Sequence, residues 1–342
     1  MNLKPARILG IETSCDETAA AVVENGREIL SSVVATQIDL HAKFGGVFPE
    51  VASRQHIRTI YPVIDEALQK ANLSLADIEA IAVTRGPGLA GSLVVGMNAA
   101  KGIALGRQIP LIGINHLEGH IYSAWLYPVD TPKPPPPPEF PQLVLLVSGG
   151  HSELNLVSDH LQYRHLGGTL DDAAGEAFDK VARMLKLPYP GGPSIQNAAR
   201  DGNPQAFNFP RSWLENTWNF SFSGLKTAVL REVRALEKEN RSLPVANLAA
   251  SFQNAVVDVL FEKTMRAARQ FAVRSILVAG GVSANEALRH RFTSQSEFPV
   301  HIPPLSFCTD NAAMIASAGY YHFCSGHIDP LDLDVLPTWP LS

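Results

Sequence analysis

Two histidines four residues apart, His116 and His120 in Asn115-His116-Leu117-Glu118-Gly119-His120, have the type and spacing to do chemistry. On a helix this separation puts both imidazoles on one face, where they can share one metal ion. A third ligand is needed. The candidate lies far downstream at Asp310, in Cys308-Thr309-Asp310-Asn311, a polar turn with N-cap chemistry ahead of the apolar run Ala312 to Ala318. Two imidazoles and a carboxylate suit iron or zinc, whereas calcium and magnesium prefer all-oxygen shells. Glu118 raises the alternative of a zinc peptidase of the HExxH type, whose general base directly follows the first histidine. Here the glutamate comes one place later, which on a helix turns it about 100° further round and away from a metal-bound water. The plain alternative is an accidental pair, one ring capping a helix end and the other solvated.

A second pattern concerns phosphate. Ile8 to Val23 and Leu143 to Val157 each read as strand, tight polar turn, strand. The turns, Thr13-Ser14-Cys15-Asp16 and Ser148-Gly149-Gly150-His151, carry hydroxyls or glycines that let backbone N–H groups close on a phosphate. Either alone reads as an ordinary hairpin. Two of them, each opening one half of the chain, predict a duplicated domain holding a phosphate between the copies. Downstream, Asp171 to Leu187 is expected to be a helix with Asp172, Glu176, Asp179 and Arg183 on one side and Ala177, Phe178, Val181 and Leu185 on the other. The loop Tyr189-Pro190-Gly191-Gly192-Pro193-Ser194 follows, its glycines allowing close approach of a ligand. Ser275 to Ala279 is a buried strand breaking at Gly280-Gly281, the kind of strand end where α/β sheets bind ligands, with Asn285 either a ligand contact or helix-end chemistry. Arg85 to Ser92 is also glycine-rich, but it lacks a P-loop lysine and does not match GxGxxG, so packing is the reading for most of its glycines.

The elements that position these residues alternate. Val51 to Ala71 places Ile57, Ile60, Ile64 and Leu68 at helical spacing, Ile78 to Thr84 is a strand, Leu93 to Leu105 a helix and Pro110 to Ile114 a strand, which together mean an α/β domain. With 342 residues, 46% of them hydrophobic, the chain exceeds the ~250 to 300 residues of a single core. Thr131 to Pro138 can form neither helix nor central strand and reads as an extended connector over residues 131–141. No run of about 20 apolar residues could cross a bilayer, and Met1 to Arg7 leads into a strand without a signal sequence, so a cytoplasmic protein without membrane contact is expected. Cys15, Cys308 and Cys324 suggest neither disulfides nor a thiolate metal site. The net charge of −5 argues against gripping nucleic acid with the whole surface, leaving a local basic patch, with Arg54, Arg58 and Lys43 first in view, or a partner's.

Taken in order, Gly10-Ile11-Glu12-Thr13-Ser14-Cys15-Asp16-Glu17-Thr18, the His116/His120 segment, Leu146 to His151, Gly175 to Lys180, Pro190 to Pro193, Gly280 to Asn285 and Thr309 to Ala312 strongly resemble the TsaD family of tRNA threonylcarbamoyltransferases. The resemblance runs from near residue 7 to about 320, interrupted only by the proline-rich connector. It implies the actin/Hsp70/sugar-kinase (ASKHA) fold, two related α/β domains around a nucleotide cleft: residues 1–130, then 142–309, with 310–342 returning to the first. It further implies transfer of threonylcarbamoyl from L-threonylcarbamoyladenylate to N6 of adenosine 37 in tRNAs reading codons that begin with A, releasing AMP. His116, His120 and Asp310 would hold one divalent ion, iron first and zinc second. Val147, Ser148, Gly149, Gly150 and His151 would touch the acyl-phosphate region, and Asp179, Gly192 and Asn285 the adenylate. Glu12 and His151 are the candidates for a catalytic base, with ligand orientation as the alternative for each. The partners implied are tRNA, a TsaB-like paralogue and a TsaE-like ATPase. A metallopeptidase and a noncatalytic nucleotide-binding scaffold remain the competing classes.

Overall fold

The computed structural model describes residues 5–341. The chain divides into two units, one running to Pro138 and resuming at Pro303, the other spanning Glu139–Ile302. The first opens with β1 (Arg7–Glu12), β2 (Glu17–Glu24) and β3 (Glu28–Thr36), an antiparallel meander. There follow α1 (Ile38–Ala42), α2 (Pro49–Lys70), β4 (Ala80–Gly86), α3 (Ala90–Arg107), β5 (Leu111–Asn115), α4 (His116–Tyr122) and β6 (Tyr127–Pro128). β4 joins β1 in parallel and β5 joins β4, giving the order β5-β4-β1-β2-β3-β6. Strand alternation sends Leu9, Ile11, Ala20, Val22, Ile81 and Val83 to one face, where α2 and α3 cover them.

α2 differs from the sequence expectation in its rotation. Its buried stripe is Ala52, His56, Ile60, Val63, Ile64, Ala67 and Leu68, and Ile57 is 64% exposed. The polar His56 takes the inward place because both ring nitrogens are satisfied: Nδ1 lies 2.8 Å from Thr18 Oγ1 and Nε2 3.0 Å from the Cys15 carbonyl.

The second unit repeats the plan with β7 (Gln142–Val147), β8 (Ser152–Asp159) and β9 (Gln162–Gly168). It continues with α5 (Ala174–Met184), α6 (Gly191–Ala199), α7 (Ser223–Lys238), α8 (Val245–Gln270), β10 (Ser275–Ala279), α9 (Glu286–Gln295) and β11 (Val300–His301). The strand order β11-β10-β7-β8-β9 places fifth, fourth, first, second and third strands side by side, as in the first unit, which adds β6 beyond its third. Leu143, Leu145, Val147, Leu154, Ile276 and Val278 form a core with α5 to α8. Two expectations are corrected here. The helix expected from Asp171 starts at Ala174, and the glycine loop around 191–192 is the first turn of α6.

The chain then returns to the first unit as α10 (Ala312–Ser325), which packs on β1 and beside α4. Gly10 allows this, since a Cβ there would run into the Ala312 carbonyl. The return brings Asp310, next to the N-cap Asn311, to the histidines of α4. The three cysteines are free, and no helix among the described residues is long and apolar enough to cross a membrane.

Candidate functional site

α4 begins where β5 ends. Asn115 supplies the N-cap, its Oδ1 accepting from Leu117 N–H at 2.9 Å, and His116 and His120 then fall on one face of the helix. Their rings meet edge to face with centroids 4.8 Å apart. Asp310 Oδ1 lies 3.4 Å from His116 Nε2 and 3.3 Å from His120 Nε2, and the ligand atoms of all three residues lie within 4.8 Å of one another. The two edges to Asp310, 3.4 and 3.3 Å, match donors arranged around an ion at bond lengths of roughly 2.1 Å. His120 sharpens the fit. It is 1% exposed, and among the described residues Nδ1 has no hydrogen-bond partner while Nε2 has the 3.3 Å contact with Asp310. A buried imidazole nitrogen left without a partner costs about 1 to 3 kcal/mol, and a metal bond would satisfy one of the two.

His116 is held from its other nitrogen. Nδ1 lies 3.0 Å from Glu12 Oε2 and 3.2 Å from Ser14 Oγ. Glu12 is fully buried at the end of β1, where Thr84 Oγ1 donates to Oε2 at 2.5 Å and Ser14 N–H donates to Oε1. Both carboxylate oxygens are therefore engaged, and the ring is turned so that Nε2 faces Asp310. Burial pushes the His116 pKa down, but Asp310 and then Glu12 outweigh it and raise it well above the ordinary value. Burial likewise pushes the Asp310 carboxyl up, and the two histidines overcome that and lower it. Glu118 points elsewhere: its Oε2 sits 2.9 Å from His322 Nε2 on α10.

In the second unit the turn after β7 is closed by Ser148 N–H donating to His151 O (2.8 Å) and His151 N–H donating to Ser148 Oγ (3.1 Å). Val147 is buried, whereas Gly149 and Gly150 face open space. The turn rests on α5 because Gly175 lacks a side chain, its N–H donating to Ser148 O at 3.1 Å. Asp179 Oδ1 accepts from Gly191 N–H at 2.7 Å, joining α5 to the start of α6, and Gly192 beside it is open. Burial raises the Asp179 pKa in spite of that hydrogen bond. Asn285 is the N-cap of α9, its Oδ1 accepting from Leu288 N–H (3.0 Å) while Nδ2 donates to Gln253 Oε1 (2.7 Å). The first hairpin turn is packed where the second is open: Thr13 Oγ1 donates to Ser92 O, and Gly88 lies against Ser14. Thr84 and Ser14 belong to the His116 environment without having been singled out in the sequence. Ser14 lay inside a quoted motif, but Thr84 carries no signal beyond its place at the end of a strand.

A five-stranded core of this order, present twice, is the actin/Hsp70/sugar-kinase fold, here with a His-His-Asp group on the first copy. HypF from T. kodakarensis superposes with a TM-score of 0.62 at 14% identity over 97% of this chain and 50% of its own. Component A of the (R)-2-hydroxyglutaryl-CoA dehydratase of Acidaminococcus fermentans gives 0.53 at 15% identity, over 94% of this chain and 99% of its own. At such identities the likeness concerns the fold alone. Sequence goes further: the profile of the TsaD family, tRNA N6-adenosine threonylcarbamoyltransferase, matches residues 28–317, and the chain belongs to that family. A tRNA N6-adenosine threonylcarbamoyltransferase of Dehalococcoides mccartyi is 57% identical over 332 residues, 97% of this chain and 98% of its own. The enzyme of the same name from Thermomicrobium roseum is 54% identical, over 98% and 96%.

Proposed function

We propose that this chain transfers the threonylcarbamoyl group of L-threonylcarbamoyladenylate to N6 of adenosine 37 in tRNAs reading codons that begin with A, releasing AMP. The observation that carries this reading is kinship at 57% identity over nearly the whole of both chains. We further propose that His116, His120 and Asp310 hold one divalent ion, iron or zinc, a reading supported by their convergence and by the incompletely satisfied His120 ring. When bound, such an ion supplies Lewis-acid stabilisation of the charge that develops during transfer. The donor is a mixed carbamic-phosphoric anhydride and is already activated, so the protein's task is mainly to position it and stabilise charge.

Val147 to His151 would meet the acyl-phosphate, with the open Gly149 and Gly150 offering backbone N–H groups. Asp179, Gly192 and Asn285 would hold the adenylate. Glu12, with both oxygens engaged, would position His116 rather than move a proton, which leaves His151 as the candidate base. Glu118, turned to His322, leaves the peptidase alternative without its base. A TsaB-like paralogue, a TsaE-like ATPase and a cytoplasmic setting complete the proposal.

The test is nucleoside mass spectrometry of tRNA incubated with L-threonylcarbamoyladenylate, the chain and its partner proteins. N6-threonylcarbamoyladenosine is expected, and its absence overturns the transferase reading. His116→Ala and Asp310→Ala should lose bound metal and most of the product while keeping the fold. Full metal occupancy in both would refute the ligand set.

A further inference from the structure

Beyond α10 the chain runs back along the edge of the first sheet. Asp329 N–H donates to Leu111 O at 2.9 Å and its Oδ2 accepts from Gly113 N–H at 2.8 Å, an antiparallel bridge on β5. Leu333, 6% exposed, lies over Gly113, where a Cβ would collide with it. Leu336 N–H donates to Arg85 O at 2.8 Å, and its carbonyl occupies the place a side chain on Gly86 would need. Gly88 N–H donates to Pro337 O at 3.1 Å. Arg85 grips the same segment, its Nε donating to Asp334 O at 2.8 Å and its guanidinium lying 5.4 Å from the centroid of the Trp339 ring. Finally, Asn115 Nδ2 donates to Trp339 O (3.2 Å) and Pro340 O (3.3 Å).

Asn115 is where this segment meets the metal group. The same amide caps α4 through Oδ1, and the helix it caps is seven residues long with His116 at its first position. So short a helix has little stability of its own, and its direction depends on what holds its ends. We propose that residues 329–340 are a strap that acts through Asn115 to fix the start of α4, and with it the aim of His116 and His120 toward Asp310. Asn115 and Arg85 are then positioning residues for metal binding, and the proposal rests on the metal reading above. A segment that merely covers a sheet edge would affect melting but leave the geometry of a bound ion alone.

The experiment uses full-length Asn115→Ser and Arg85→Ala. Serine is as good an N-cap as asparagine, so the first variant keeps the cap and loses the link to the strap. The second loosens the strap from its far side. Each is titrated with Co²⁺, its visible absorption spectrum is recorded, and its melting temperature is measured. Both should stay folded, bind Co²⁺ roughly tenfold more weakly, as outer partners of metal ligands typically do when lost, and show an altered spectrum. Wild-type affinity and spectrum in both variants overturn the strap while leaving the metal reading intact. A wild-type chain that takes up no Co²⁺ overturns the metal reading and the strap with it. Loss of the fold in both would make the segment a stability element and refute the proposal.

Discussion

His116 is gripped at both nitrogens, by Glu12 and Ser14 at Nδ1 and by Asp310 at Nε2. A carboxylate behind a metal-binding imidazole fixes the tautomer and raises ligand basicity, typically contributing ten- to a hundredfold in metal affinity. Glu12→Gln keeps the shape and removes the charge, so it is expected to weaken metal binding by about that factor with the fold intact. Metal titration together with turnover checks this. If turnover fell while affinity stayed at the wild-type value, Glu12 would be acting on the substrate's proton and not on His116. The histidine pair was legible in the sequence because four-residue spacing fixes the face of a helix, Asp310 because its polar turn announces a helix start, and the fold brings the three side chains together. Thr84 was not, because its hydrogen bond to Glu12 spans 72 residues and follows from the pairing of β1 with β4.

Among the elements, hairpins were easiest to read and helix starts hardest. Alternation and a polar turn are local signals, and both hairpins formed as expected. The α5 start was misplaced because Asp171 and Asp172 look like first-turn acids, yet each serves a distant group. Asp172 pairs with Lys180 and with Lys226 on α7. Asp171 caps α7 from outside, accepting from Ser221 Oγ (2.5 Å), Ser223 Oγ (2.7 Å), Phe222 N–H (2.9 Å) and Ser223 N–H (3.2 Å). Asp171→Ala should therefore destabilise the protein by about 1 kcal/mol, the usual worth of a helix cap, as read by denaturant melts at neutral pH. Its pH dependence follows from its carboxyl. Burial pushes the pKa up, but the four donors outweigh that and lower it. A depressed folded-state pKa gives stability that is present above the unfolded value of about 3.9 and lost as pH falls through the folded value. The gap between wild type and variant should accordingly close below about pH 4, and a gap that persisted there would show that the carboxylate's charge is not what caps α7.

The molecule as a whole carries the duplication that its two hairpins announced, the order of the first five strands being the same in both units. The return of the chain was legible only through the family resemblance and not through any local pattern, since α10 and the segment after it make their contacts with β1, β4 and β5 across about 200 residues or more. Charge at this scale bears on tRNA. With 28 basic and 33 acidic side chains the net charge is −5, and many of the cations are already committed. Arg7 pairs with Glu24, Arg211 with Asp258, Arg269 with Glu297 and Arg291 with Glu262. A polyanion gains affinity by releasing counterions to cations that contact its phosphates, and each such contact adds about 0.7 to 0.9 to the slope of log affinity against log salt. The isolated chain should therefore bind tRNA weakly with a shallow slope, and adding the partner proteins should steepen it by several such increments. A salt series of tRNA binding with and without partners measures both slopes. Tight, steeply salt-dependent binding by the chain alone would instead locate a basic patch on this protein, with the exposed Lys43, Arg54 and Arg58 the first side chains to replace.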